Sequence, residues 1–417
     1  METTLVIMKE KTEILAPAGN FSCLYAAIKA KADSIYFGIE NLNMRSRSTN
    51  NFKIEDLDEI SKLCQKHKIK SYLTLNTIVY DEDFEKIKLI CKEAKKTKID
   101  AIIASDFAVI QYAHSIGLNI HISTQANVCN IEAVKFFSKY AVAVVLAREL
   151  TLKQITSICS AIKKEKICGP TGEVIRVEIF VHGALCVAIS GKCYMSLTQY
   201  NKSANRGECL QACRRKYRVI EEETQKELVV DNNYIMSPKD LCTISVLDRI
   251  LKSGVTILKI EGRARSAEYV DTVVMIYKEA MKAINENTYT KEKIDHWIKR
   301  LEAVFNRGFW HGGYYLGEEL DQWSRTYGSK ATKKKKYVGK TTNYFSKIKV
   351  AEVLIQAHQL KVGDEILIIG DKTGAVKSKI TKLKADKDIT IANKNDLISF
   401  PLDDKIRKND KLYVLES

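Results

Sequence analysis

The chain has 417 residues, of which 45% are hydrophobic and 28% charged, a composition typical of a globular protein with two or three domains. We expect neither a membrane anchor nor secretion, because no apolar run is long enough to span a bilayer and charged residues interrupt the start, METTLVIMKEKTE. The 67 basic against 51 acidic residues give a net charge of +16, which favours a polyanionic partner such as RNA. A general richness in exposed lysine would give the same excess. Eleven cysteines in a chain expected to be cytoplasmic predict free thiols and metal ligands rather than disulfides.

Short β-branched segments alternate with amphipathic stretches from residue 12 onward, which predicts an α/β fold. The segments predicted as strands are Glu13–Ala16, Ser34–Gly38, Ser71–Asn76, Ala101–Ser105, Ile120–Thr124, Val142–Ala147, Val177–Val181 and Thr256–Ile260. Eight strand-plus-helix units over about 270 residues fit a (β/α)8 TIM-like barrel. A doubly wound sheet would alternate in the same way, but no Gly-x-Gly-x-x-Gly loop supports one.

The remaining segments suggest further domains. We predict a barrel over residues 1–290, with a cysteine-rich metal-binding insertion at 182–240 after the seventh strand. A helical and glycine/aromatic connector with a lysine-rich linker follows at 291–336, and short strands separated by Gly and Asp turns predict a small β-barrel domain at 337–417.

Four cysteines are concentrated in the insertion. Cys186, Cys193, Cys209 and Cys213 are spaced Cys-x6-Cys-x15-Cys-x3-Cys, among glycines and basic residues. Zinc sites usually pair ligands at shorter intervals, whereas irregular spacing suits a cubane cluster several ångströms across. The spacing favours an iron–sulfur cluster over zinc or unligated thiols, with Cys242 as an alternative fourth ligand.

Polar residues follow the predicted strands, where a (β/α)8 barrel places its active site. Asn20 and Ser105-Asp106 fit helix caps better than a site. Arginines in short loops are suited to an anionic ligand instead. The substrate-binding candidates are Arg45, Arg47, Asn76, Gln125, Asn127, Arg148, His182, Lys259, Glu261 and Arg263. A His182–Cys186 pair would be the protease alternative, but the position suits a supporting hydrogen-bond partner better.

Several segments carry a family resemblance. The signature is Glu178-x-Phe180-x-x-Gly183-Ala184-Leu185-Cys186-x4-Gly191-x-Cys193-x-x-Ser196, and the other segments are ILAPAGNFSCLYAAIKAKADSIYFG, STQANVCN, NRGECLQACRRKY, SPKDLCTI, LKIEGRARSAEYV and FNRGFWHGG. Along nearly its whole length the chain resembles peptidase family U32, the collagenase-like proteins. The family name implies a peptidase, whereas its better-understood bacterial members resemble oxygen-independent hydroxylation factors that carry a 4Fe–4S cluster.

These members act in ubiquinone synthesis, on ribosomal RNA or on tRNA, and the chain looks most like the tRNA branch because of its Asn205-Arg-Gly-Glu-Cys209-x3-Cys213-Arg block and its C-terminal domain. The resemblance implies prephenate-dependent formation of 5-hydroxyuridine at the tRNA wobble position, with the four insertion cysteines as cluster ligands. It also implies tRNA, a small anionic co-substrate, and an electron donor or homologous partner protein as partners. A U32 peptidase, hydroxylation of ribosomal RNA and a non-catalytic RNA-binding scaffold remain open alternatives.

Overall fold

A computed structural model describes residues 12–40, 42–47, 51–188, 192–228, 236–317 and 323–416. The signature residue Gly191 lies outside these ranges. Among the described residues, no helix is both long and apolar enough to cross a bilayer.

The first two thirds of the chain form a closed parallel barrel, as predicted. Its strands up to the insertion are β1 Glu13–Ala18, β2 Ser34–Gly38, β3 Lys70–Leu75, β4 Ala101–Ala104, β5 Ile120–Ile122, β6 Ala143–Val145 and β7 Arg176–Gly183. The later strands of this region are β8 Val219–Ile220, β9 Glu227–Leu228, β10 Asp240–Cys242, β11 Ile257–Ile260 and β12 Phe309–His311. Strands β1 to β7 pair in order, and β11 pairs in parallel with both β1 and β7, which closes the barrel.

Amphipathic helices surround the barrel and bury their apolar faces against it. They are α1 Phe21–Lys29, α2 Leu57–Lys66, α3 Phe84–Lys96, α4 Phe107–Ser115, α5 Ile131–Ser138, α6 Leu152–Glu165, α8 Leu247–Lys252, α9 Ala267–Asn285 and α10 Lys291–Glu302, whereas the short helix α7 Met195–Tyr200 belongs to the insertion. Asn20 accepts a hydrogen bond from the Cys23 N–H, and Asp106 accepts one from the Ala108 N–H, each at 2.9 Å. The predicted capping roles of these two residues are thereby confirmed.

The cysteine-rich insertion lies between β7 and β11. It contains α7, the β8–β9 hairpin, and β10, which runs antiparallel to the end of β7 and pairs with β12. Cys242 is the last residue of β10, and α8 begins five residues later. The pairing of β10 with β7 and β12 makes this segment a strand.

Gly207 is the point at which the insertion meets the loop after β2. Its φ of +84° lies in the left-handed region, and an added Cβ would lie 2.2 Å from the Asn43 carbonyl oxygen. The Ser46 hydroxyl donates to the Gly207 carbonyl oxygen at 3.0 Å. The insertion is therefore packed directly on the carboxyl end of the barrel.

The C-terminal region is all β, as predicted. Its strands are β13 Lys334–Phe345, β14 Val350–Ile355, β15 Leu360–Lys361, β16 Glu365–Gly370, β17 Gly374–Lys379, β18 Leu383–Lys384, β19 Asp388–Ile389, β20 Ile391–Ala392, β21 Leu397–Pro401 and β22 Lys411–Glu416. Eight of them form one antiparallel sheet with its own apolar core, while β15 and β20 pair separately. Strand β17 contacts α1 and α9 of the barrel. The domain limits at residues 290 and 336 stay a prediction.

Candidate metal and anion site

One cavity of about 260 Å³ opens at the carboxyl end of the barrel, beneath the insertion. All four insertion cysteines line it, and so do the predicted residues Arg45, Asn76, Gln125, Arg148, Lys259, Glu261 and Arg263. Cys186 is exposed, whereas Cys193, Cys209 and Cys213 are half-buried. The fold thus brings residues that are up to 218 positions apart in the sequence to one site.

Two arginines hold the backbone just before Cys186. Arg148 Nη1 donates to the Ala184 carbonyl oxygen at 3.0 Å. The buried Arg214 donates to the Leu185 carbonyl oxygen and, at 2.7 Å, to that of Pro238. Because these carbonyl groups are satisfied by side chains, the loop is fixed without regular secondary structure.

Gly183 lets this loop turn away from β7. Its φ is +105°, and an added Cβ would lie 2.3 Å from the Glu261 carbonyl oxygen. No other residue type fits such a close approach without moving the backbone. The glycine in the signature is thus required by the path of the chain to Cys186.

The segment that contains Cys209 is held in place by hydrogen bonds from its backbone N–H groups to side chains. The Leu210 N–H donates to the buried Ser196 hydroxyl at 2.9 Å, and the Gln211 N–H donates to Cys209 Sγ at 3.4 Å. Burial raises the pKa of Cys213 to about 11, although the Arg214 guanidinium acts in the opposite direction. An N–H donor already aimed at a sulfur is the kind of contact that tunes a thiolate ligand.

The thiols do not converge on a point. In the described part of the chain, no group of three or more Cys, His, Asp or Glu side chains is close enough to hold a single metal ion. The four cysteines instead line the wall of a cavity. Four thiols lining one cavity are the donor set that an iron–sulfur cluster takes, whereas one zinc ion needs its ligands gathered at bond lengths of about 2.3 Å.

Basic side chains dominate the rest of the lining. They are Arg45, Arg148, Arg214, Lys259, Arg263, Arg265 and Arg307, against the two carboxylates Glu149 and Glu261. Burial would raise the pKa of Glu261, but Arg45, Arg148 and Arg263 lower it to about 2. Arg45 Nη2 lies 2.9 Å from Glu261 Oε1, and the Tyr36 hydroxyl lies 3.2 Å from Oε2 and 2.9 Å from the Ile260 carbonyl oxygen. Glu261 is thus paired with Arg45, and the cavity keeps an excess of positive charge.

A buried polar chain lies below the cavity, inside the barrel. Lys259 Nζ contacts Glu178 Oε1 at 2.6 Å, and His121 Nδ1 lies 3.1 Å from Glu178 Oε2. Burial would raise the pKa of Glu178, but Lys259 and His121 lower it to about 2. Sequence analysis missed the roles of Tyr36, His121 and Glu178. Alternate residues of a barrel strand point into the barrel interior. An acidic and a basic residue at such positions of the predicted strands could therefore have indicated this buried chain from the sequence.

Four of the predicted residues lie outside the cavity lining. Arg47 lines a neighbouring pocket of about 450 Å³ with Asp83 and Arg206. Asn127 ends a short helical turn with a φ of +55°. Cys242 is fully buried, and burial raises its pKa to about 12. The structure therefore does not bring Cys242 to the other four cysteines.

His182 is the fourth of these residues. It packs against Tyr269, Tyr277 and Phe309, and burial lowers its pKa to about 3. No hydrogen bond joins it to Cys186 in the described ranges, which include both residues. The arrangement lacks the contact that a Cys–His nucleophile requires.

Comparison with known proteins matches residues 19–325 to the model of peptidase family U32. The chain is 50% identical to a protein from Porphyromonas gingivalis named collagenase, over 96% of this chain and 97% of that protein. It is 30% identical to tRNA hydroxylation protein P1 of Bacillus subtilis, over 87% of this chain and 85% of that protein. It is also 31% identical to the 23S rRNA 5-hydroxycytidine C2501 synthase of Escherichia coli, over 73% of this chain and 45% of that protein.

Proposed function

Since the chain belongs to peptidase family U32, whose members include proteins named for tRNA and ribosomal RNA hydroxylation, we propose that it is an RNA-hydroxylating enzyme. The finer proposal is oxygen-independent conversion of a tRNA wobble uridine to 5-hydroxyuridine in the cytoplasm, with prephenate as co-substrate. The observation that carries it is one cavity lined by both four cysteines and seven basic side chains. Hydrolysis of a peptide bond has no evident use for that combination, whereas a thiolate-bound cluster and an organic acid do.

Cys186, Cys193, Cys209 and Cys213 would hold a 4Fe–4S cluster. The fit rests on their position around one cavity and on the Gln211 N–H aimed at Cys209 Sγ. When bound, such a group supplies Lewis-acid or one-electron redox chemistry. The arginines of the cavity lining would offset the negative charge of four thiolates in a partly buried site.

The same basic lining would bind the co-substrate. Prephenate carries two carboxylates, and guanidinium groups bind carboxylates through paired, charge-assisted hydrogen bonds. Arg45 is engaged with Glu261 and Arg148 with Ala184, so each is already oriented by a partner. The residues thus bind and orient the acid without large rearrangement.

RNA would approach from the solvent side of the insertion. Tyr194 directly follows Cys193, and 71% of its surface is exposed. An exposed aromatic ring beside a reactive cavity suits stacking with an unpaired base, and the net charge of +16 suits the phosphate backbone. A flipped uridine would then lie between Tyr194 and the cavity.

The test is nucleoside mass spectrometry of RNA from a strain that lacks the gene, complemented with wild-type or Cys193→Ala protein. We expect 5-hydroxyuridine in tRNA to disappear in the deletion strain, return with wild type and stay absent with the variant. A modification lost from ribosomal RNA instead would support the ribosomal alternative. Unchanged modification of both RNAs would favour a non-catalytic scaffold and contradict the proposal.

A collagenase-type peptidase is the second candidate, because the relative that is 50% identical carries that name. The burial of His182 away from Cys186 speaks against a Cys–His mechanism. Gelatin cleavage by the pure protein that is lost in Cys186→Ala would support this candidate, and cleavage retained in that variant would indicate a contaminating protease.

A further inference from the structure

The Lys259 ammonium has hydrogen-bonding capacity that the protein does not use. Only 4% of the residue is exposed, and Nζ donates to Glu178 Oε1 at 2.6 Å. Nζ also lies 4.6 Å from the centre of the Tyr36 ring and 5.4 Å from that of Phe180. Within the described ranges it has no second hydrogen-bond acceptor. Because an ammonium has three N–H donors and buried donors are normally paired, two N–H groups are left for a ligand.

The carboxylate of Glu178, which lies beneath Lys259, is itself held by a hydrogen-bonded chain. Arg176 Nη2 lies 3.4 Å from His121 Nε2, and an arginine can only donate, so Nε2 accepts and the His121 proton is on Nδ1. His121 therefore donates to Glu178 Oε2, at 3.1 Å. A carboxylate that accepts from both His121 and Lys259 stays ionised and fixes the Lys259 ammonium in orientation. Burial lowers the pKa of Lys259, and the ionised Glu178 acts in the opposite direction.

Arg263 has a second unused donor in the same lining. Only 4% of it is exposed, and Nη1 donates to Asn43 Oδ1 at 2.9 Å and to Thr74 Oγ1 at 2.8 Å. Its buried Nε–H has no partner in the structure. Two buried cations with free donors thus line one cavity, while the nearby Glu261 is already paired with Arg45.

We propose that Lys259 and Arg263 form the subsite that binds a carboxylate of a small organic acid at the floor of the cavity. This assignment rests on the proposed function, since it names the residues that receive the co-substrate. A carboxylate offers two acceptor oxygens to donors that come from two sides, and it neutralises the charge left over there. Both residues lie at the barrel strand end and are only 4% exposed, which favours a small free acid over a phosphate held in an RNA backbone.

The experiment is calorimetric titration of the anaerobically purified protein with prephenate, phenylpyruvate and phenylacetone, the last of which has a methyl group where phenylpyruvate has its carboxylate. We expect wild type to bind one or both acids but not the ketone. Lys259→Met and Arg263→Gln should each weaken binding about tenfold or more, the effect of removing a charge-assisted hydrogen bond. Lys259→Met leaves the buried Glu178 with its His121 hydrogen bond but without a cationic partner, so the double variant Lys259→Met/Glu178→Gln tests the same loss with a neutral interior.

Lys278→Met is the matched control, because this lysine also pairs with a carboxylate, Asp33, but lies on the outer helix α9. It should bind the acids like wild type. Wild-type affinity in the folded double variant, binding of the ketone as tight as that of the acids, or no binding of either acid by wild type would overturn the subsite. Carboxylate-dependent binding in a protein whose deletion leaves RNA modification unchanged would support the subsite and refute the proposed function.

Discussion

Arg214 donates a hydrogen bond to the carbonyl oxygen of Leu185, so the residue that follows Cys213 holds the residue that precedes Cys186. The two cysteines come from distant parts of the insertion, and this contact links their backbones directly. Burial lowers the pKa of Arg214 to about 10, which leaves the guanidinium charged at neutral pH. The geometry of the four thiols therefore depends on a side chain that is not itself a ligand.

Arg214→Gln should weaken retention of the metal centre. The shorter side chain loses its contacts with Leu185 and Pro238, and loss of a contact that orients ligands typically costs about tenfold in metal affinity. The measurement is iron per chain after dialysis against a chelator. Arg215→Gln is the control, because the side chain of Arg215 is exposed and contacts Tyr200 rather than the cysteine loop. Equal iron retention by the two variants would refute this role of Arg214.

Gly207→Ala should destabilise the protein more than Gly172→Ala. Both glycines have φ near +80°, but an added Cβ at Gly207 would lie 2.2 Å from the Asn43 oxygen, whereas nothing lies within 4 Å at Gly172. Backbone strain of about 1 kcal/mol is common to both, so the difference measures the contact between the insertion and the barrel. Melting temperatures of the two variants provide the comparison, and equal values would show that the insertion is not held at Gly207.

Asp271→Asn should stabilise the protein at pH 7.5 and do so less at pH 4.5. Burial raises the pKa of Asp271 from 3.8 to about 6, although Lys377 acts in the opposite direction. Since the folded pKa is the higher one, the penalty is absent below pH 3.8, grows through the window up to about 6 and is complete above it, at roughly 3 kcal/mol or less. Thermal melting at the two pH values tests this, with the exposed Asp58→Asn on α2 as control. A gain that is no larger at pH 7.5 than at pH 4.5 would be inconsistent with a buried ionised Asp271.

Tyr194→Ala should weaken tRNA binding, because loss of one stacked base costs about 1–3 kcal/mol. The matched control is Leu89→Ala on α3, a side chain that is 62% exposed on the outside of the barrel. Filter binding at two salt concentrations would separate this loss from the phosphate contribution, which alone depends strongly on salt. Equal affinity of the two variants would remove Tyr194 from the RNA surface.

The barrel could be predicted from the sequence. Each strand, such as Ser34–Gly38, is a short apolar run followed by a helix whose apolar residues recur every three or four positions. It also predicted that Arg45, Arg148, Lys259, Glu261 and Arg263 lie close together, because the carboxyl ends of parallel strands meet at one rim. Their role in binding a substrate stays a prediction. In both cases a local pattern determines the position in space.

These local patterns do not predict contacts between distant parts of the chain. Cys242 has a helix-like context, but pairing with His182 of β7 makes it the end of a strand. The role of Arg214 depends on carbonyl groups 24 to 29 residues away, which no periodicity in the sequence indicates. The His121–Glu178–Lys259 chain likewise requires three strands to face one lumen in a particular register.

The most direct test of the metal centre is the iron and acid-labile sulfide content of anaerobically purified protein, measured together with its visible spectrum. We predict about four irons and four sulfides per chain, with the broad absorbance typical of a cubane cluster, and loss of both in Cys193→Ala. Zinc, or no metal after anaerobic reconstitution, would contradict the account, because the four cysteines would then line the cavity without holding a cluster.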